Sequence, residues 1–222
     1  MNFINKIRED IKSHFNEETF QKGDFETSIS PSETFRLDAT NFYLKDSNWD
    51  LTKVEIYNQE LNEKTFDIFI NDGQFFYGWI TKNNIEYLLC AEDIYGGQTV
   101  IDLTNRKIAS YSPNQDGFIW INFHLSPDGS KLATIGCYWA CDYVIKIFDF
   151  SNPMVLPLKE INEIKLLGDD EIISEWLDNE TVKTKGIKRE RIREYDESGS
   201  FNTKIISEVG VERQIKIYQI GL

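Results

Sequence analysis

Four short segments end on an asparagine or aspartate at positions 58, 102, 149 and 196, at intervals of 44, 47 and 47 residues. They are Val54-Glu55-Ile56-Tyr57-Asn58, Thr99-Val100-Ile101-Asp102, Lys146-Ile147-Phe148-Asp149 and Arg193-Glu194-Tyr195-Asp196. Turn-forming residues follow each one, at 59–62, 104–106, 151–153 and 197–200. The Ser30-Pro31 and Ser126-Pro127 pairs stand 96 residues apart, two periods of 48. A recurrence in the middle forties, with room for four short strands per unit, restricts the chain to a series of equivalent antiparallel sheets.

The clearest unit is 118–150. Aromatic and β-branched residues fill 118–125, and Ser126-Pro127-Asp128-Gly129 is a turn in which Pro sets φ and Gly accepts positive φ. A second strand is expected at 131–136 and a third at 143–150, where Val144, Lys146, Phe148 and Phe150 alternate with Tyr143, Ile145, Ile147 and Asp149. The run from Leu125 to Ala133, followed by 145–149, resembles a WD-type β-propeller repeat, although none of the four strand ends carries the Trp-Asp dipeptide of such repeats and no Gly-His pair occurs. That resemblance implies an all-β fold: a small propeller-like array of about four antiparallel four-stranded sheets. The run Tyr95-Gly96-Gly97-Gln98-Thr99-Val100-Ile101-Asp102-Leu103, with Gly136-Cys137-Tyr138-Trp139-Ala140-Cys141, also resembles a small uncharacterised bacterial family. No activity comes with that likeness.

On this frame the strands fall at 25–30, 34–44, 52–58 and 63–70; 74–82, 85–91, 98–103 and 106–111; 118–125, 131–136, 143–150 and 154–160; 162–167, 171–177, 187–195 and 201–207. The alternation in 211–220 predicts one more strand, placed to complete a sheet begun at the other end of the chain. The alternative is an open stack, capped by the N-terminal helix or closed by dimerisation. That helix is expected over 2–15, where Phe3, Ile7, Ile11 and Phe15 form one apolar stripe. Residues 1–22 therefore read as a helix packed on the domain and 23–222 as a single propeller-like domain.

The formal net charge of −13 repels phosphate backbones and anionic lipid, which argues against nucleic acid and membrane partners. No segment is apolar enough to span a bilayer and none reads as an export signal. Three cysteines without such a signal suggest reduced thiols and a cytoplasmic protein. Cys137 and Cys141 could be buried thiols, a redox pair or part of a metal site with Cys90, and the sequence leaves these open. No phosphate loop, nucleophile elbow or zinc-protease motif occurs, and nothing calls for a cofactor or metal.

In a four-stranded blade the loops between the second and third strands share one face of the array. Here these loops carry Asp46, Trp49 and Asp50; Glu92, Asp93 and Tyr95; and Tyr138, Trp139 and Asp142. Aromatic and acidic residues together on loop tips fit a protein-binding rim, with the aromatics as anchors and the carboxylates steering a basic partner. Alternatively the aromatics plug the centre of the array. The expectation is a non-catalytic protein-binding module that neutralises a basic partner such as a toxin. The competing reading is a glycan- or small-molecule-binding protein or hydrolase using the same carboxylates. Oligomeric state is left open.

Overall fold

Alternation of apolar and polar residues, broken by residues that accept left-handed backbone, folds the chain into successive hairpins. Asn83 and Asn84, both at positive φ (51° and 60°), make the two-residue turn that pairs Lys82 with Ile85. The computed structural model describes residues 3–16, 18–45, 49–93, 95–115, 117–167, 170–195 and 201–217. One helix, α1 (Phe3–His14), precedes four antiparallel sheets.

The first sheet is β1 (Phe20–Ile29), β2 (Phe35–Leu44), β3 (Asp50–Asn58) and β4 (Glu63–Ile70), in that order. The second is β5 (Tyr77–Lys82), β6 (Ile85–Ala91), β7 (Gln98–Asp102) and β8 (Lys107–Tyr111). The third opens with two short pieces, β9 (Ile119–Trp120) and β10 (His124–Leu125), both paired to β11 (Lys131–Cys137), and continues through β12 (Val144–Asp149) and β13 (Glu160–Lys165). The fourth holds β14 (Ile172–Asp178), β15 (Thr181–Tyr195) and β16 (Phe201–Lys216).

Each sheet buries a face on the next. Leu37, Val54, Ile56 and Ile70 of the first sheet meet Leu88, Cys90 and Ile101 of the second. The next residues along, Leu89 and Val100, point the other way onto Trp120, Leu132 and Phe148 of the third. Ala133, Ile145 and Ile147 then meet Ile173, Val182 and Ile217 at the fourth sheet. At roughly 25 cal/mol per Å² of apolar surface, these three seams hold the stack together.

The far face of the first sheet differs. Part of it is covered by α1 and the residue after it: Ile7, Ile11 and Phe15 pack on Phe20, Phe42, Leu51 and Phe69. The remainder is a solvated lattice of ion pairs, Lys64 with Glu55 (2.8 Å) and Asp67 (3.1 Å) and Arg36 with Asp38 (3.1 Å). Among the described residues no apolar cluster joins the first and fourth sheets. The array is a propeller-like stack with a helix on its first sheet.

Several expected boundaries move. Residues 154–159 form no strand, since Pro153 and Pro157 supply no N–H to a ladder. β13, expected at 162–167 to open the fourth sheet, takes the outer place in the third and leaves the fourth with β14, β15 and β16. The expected strand at 118–125 is interrupted, and the Asn122 side chain fills the gap by accepting from Ile135 N at 2.8 Å. The described part of the expected closing strand at 211–220 belongs to β16 and is no separate strand, and 218–220 lie outside the described residues. Val209-Gly210-Val211 contains no turn, so β16 runs through it and pairs Ile215 with Val182 and Val211 with Gly186. On α1, Ile4 and Arg8 are buried, and Phe3 is 62% exposed instead of leading the stripe.

Candidate functional site: one rim of the stack

At one end of the stack, neighbouring sheets place their loop residues in contact. The Trp49 indole Nε1 donates to Asn71 Oδ1 (2.8 Å), and Asn71 Nδ2 donates to Asp93 Oδ2 (2.9 Å). Asp93 Oδ1 accepts the Tyr95 backbone N–H (3.0 Å), and the Tyr95 ring lies 6.0 Å from that of Trp139. One continuous row thus runs from the first sheet through the second to the third.

Local backbone chemistry fixes this row. Gly96 has φ of 88°, and a Cβ there would lie 2.6 Å from the Gly117 backbone, so only glycine permits the close approach. Gly117 N donates to Tyr95 O (2.7 Å), which anchors the loop from the other side. Next door, Cys141 N donates to Tyr138 O (2.9 Å) with Ala140 at positive φ, a tight turn that pushes Trp139 outward. Tyr95 and Trp139 are 52% and 53% exposed.

The electrostatics of the row are negative. Asp72, in the connection between β4 and β5, has its carboxyl pushed up, first by burial and then by the nearby Asp50 and Asp93 charges. Asp50 lies so close to Gly73 that a Cβ there would come within 2.0 Å of Asp50 Oδ2. Among the described residues no lysine or arginine forms an ion pair with Asp50, Asp72 or Asp93.

The other expected site residues go elsewhere. Glu92 is buried and takes the Arg8 guanidinium of α1, so it is no surface charge. Burial pushes its carboxyl up, against the pull of Arg8. Tyr138 turns inward: its ring packs against Phe118 (5.8 Å between centroids), and its hydroxyl accepts from buried Lys146 Nζ at 2.7 Å. Burial alone would lower Lys146, but Glu160 and Tyr138 outweigh it and raise the ammonium pKa. Asp142 is exposed on the loop after Trp139. Asp46 lies outside the described residues.

Reading the loops alone missed Arg8, Asn71 and Asp72. Arg8 carried a signal, a cation between Ile4 and Ile11 on the buried side of α1. Asn71 and Asp72 sit in the sheet-to-sheet connection, which emerges on the same rim as the loops. Arg8 also donates to Thr99 Oγ1 (3.0 Å) and Ser110 Oγ (3.3 Å), which ties α1 over the gap between the first two sheets. A cavity of about 390 Å³ opens beside it, lined by Ile4, Ile7, Phe69 and Pro113 with Asn71 and Asp93.

Cys90 is wholly buried and its thiol is pushed well up, first by burial and then by Glu92. Burial also raises Cys137, with Cys141 adding to it. Among the described residues no three His, Cys, Asp or Glu side chains are grouped to hold a metal ion, and no helix is long and apolar enough to cross a membrane.

No family model matches the sequence. Over 127 residues the chain is 31% identical to an uncharacterized protein of Acanthamoeba polyphaga mimivirus, covering 56% of this chain and 50% of that protein. The chain therefore spans about half the length of this relative. Among solved structures it is similar to a dihydro-heme d1 dehydrogenase (13% identity, TM-score 0.49, 89% of this chain and 40% of that one). It is similar too to hydrazine synthase of Kuenenia stuttgartiensis (13%, TM-score 0.43, 91% and 70%) and to a β-propeller domain from Myceliophteria thermophila (9%, TM-score 0.39, 83% and 72%). The propeller-like description rests on the strand pairing and sheet packing of this chain itself.

Proposed function

We propose that the chain is a non-catalytic protein-binding module that presents the rim of Trp49, Asp93, Tyr95 and Trp139 to a basic partner. The observation that carries this reading is the exposed Tyr95–Trp139 ring pair beside the Asp50, Asp72 and Asp93 carboxylates. Large aromatics that stay half-exposed are the residues that supply most binding energy when a partner covers them. Carboxylates without a cation of their own raise the association rate of a basic protein and make it salt-dependent. Asp142 lies on the loop beside Trp139 and extends the acidic fringe. Glu92 and Tyr138 act behind the surface, holding α1 and Lys146.

A basic toxin or nuclease neutralised in the cytoplasm fits this chemistry and the net charge of −13. The cavity beside α1 favours one second reading, a small molecule or glycan bound at the same rim. Affinity capture from lysate at low and at high salt, with the wild-type chain and with Tyr95→Ala/Trp139→Ala, tests the proposal. Partners retained by the wild type, released by salt and lost with the double variant are expected. Partners that survive both the salt and the double variant contradict it.

A further inference from the structure

We propose that the cavity beneath α1 seats a lysine side chain of the protein that binds the rim. The inference rests on the protein-binding reading and names what enters. The cavity, about 390 Å³, lies at the small end of the roughly 300–1,000 Å³ typical of ligand sites and has room for a lysine side chain with its flanking peptide groups. Its walls are apolar where α1 meets the first sheet, at Ile4, Ile7 and Phe69, and Asp93 supplies a carboxylate beside Asn71. A four-carbon stem with a charge at its end matches that division.

Lysine is favoured over arginine by the hydrogen bonds Asp93 already makes. Asn71 Nδ2 occupies Oδ2 at 2.9 Å and the Tyr95 N–H occupies Oδ1 at 3.0 Å. A guanidinium prefers a carboxylate free to take two parallel N–H bonds, whereas an ammonium needs only the charge and one remaining lone pair. The negative field is already present, since the Asp50 and Asp93 charges help to raise Asp72. The one cation lining the cavity, Arg8, is neutralised by Glu92.

The test is an amide NMR titration of the full chain with N-acetyl-lysine-methylamide, with the norleucine and arginine analogues run beside it. Saturable shifts at Phe69, Asn71, Gly96 and Ser112 are expected with the lysine compound. The norleucine compound should bind at least about tenfold more weakly, and Asp93→Asn should weaken the lysine compound by about the same factor. Ile7→Trp, which fills the cavity without touching the carboxylate, should abolish the shifts while leaving the rest of the spectrum folded. Equal binding of lysine and norleucine, tighter binding of arginine, no shifts at all, or indifference to Asp93→Asn would overturn the proposal. Protein capture that persists in Ile7→Trp but fails in Tyr95→Ala/Trp139→Ala would sink the cavity inference and leave the rim reading standing. Lysine binding without any protein capture would do the reverse.

Discussion

At the hairpin end of the stack, polar side chains are used up in joining one sheet to the next. Ser30 and Ser32 of the first sheet donate to buried Glu86 of the second, at 3.3 and 2.6 Å. Lys82 of the second sheet donates to the carbonyls of Phe150 (2.5 Å) and Ser151 (3.0 Å) beside the third, and Lys131 of the third donates to Asn179 O (2.9 Å) of the fourth. At the loop end, charge and rings are left over: Asp93 accepts from Asn71 and Tyr95, but among the described residues no lysine or arginine pairs with Asp50, Asp72 or Asp93, and Tyr95 and Trp139 are half-exposed. Both ends belong to the same sheets, so the difference does not follow from the fold. Satisfied polar groups at one end stabilise the stack; surplus charge and exposed rings at the other are what a partner would use.

The largest effect is expected at the buried Arg8–Glu92 ion pair of the loop end. Arg8→Met leaves Glu92 buried and unpaired, with an expected loss of about 3–5 kcal/mol in urea denaturation. Burial already raises Glu92, so this penalty should shrink as pH falls and the carboxyl takes up a proton. A penalty independent of pH would show that Glu92 is not the group responsible.

At the hairpin end, Glu86→Ala strands the Ser30 and Ser32 donors between two sheets and should cost roughly 2–3 kcal/mol, with partner binding unchanged. Asp128→Asn should have a smaller effect. The Ser130 N–H and the Ser126 and Ser130 hydroxyls hold Asp128 down to about 2. A lowered carboxyl adds stability above its unfolded value, and that stability is lost as pH falls toward 2. The difference between wild type and Asp128→Asn, on the order of 1 kcal/mol or less at this exposed turn, should therefore vanish between about pH 4 and pH 2. Comparison of acid denaturation curves would reveal it.

How far the sequence reveals these two ends depends on the range of the interactions. The Ser126-Pro127-Asp128-Gly129 turn is read correctly because its chemistry is local: Asp128 caps its own loop. The spacing of strand ends likewise identifies the sheets. The strands of the fourth sheet are placed at 187–195 and 201–207 but their length is misread, because β15 starts at Thr181 and β16 runs on to Lys216. The extra length forms through pairings such as Val182 with Ile215 and Gly186 with Val211, which join distant positions and leave no local mark. On the rim, Trp49, Asp93, Tyr95 and Trp139 are legible as loop residues. The inward turn of Tyr138 is set by Lys146 and Phe118, and the burial of Glu92 by Arg8, 84 positions away. Neither is visible in a local pattern.

The smallest expected effect on stability belongs to the exposed rings. Trp139→Ala should change the unfolding free energy by no more than about 0.5 kcal/mol, because surface substitutions rarely exceed that. A loss of several kcal/mol would mark Trp139 as a structural plug.

The most direct test of the account is a hydroxyl-radical or hydrogen-exchange footprint of the chain with a captured partner. Protection is expected at Trp49, Asp93, Tyr95 and Trp139 and none at Ser32, Lys82, Asp128 or Asn179. Protection confined to that second group would contradict it.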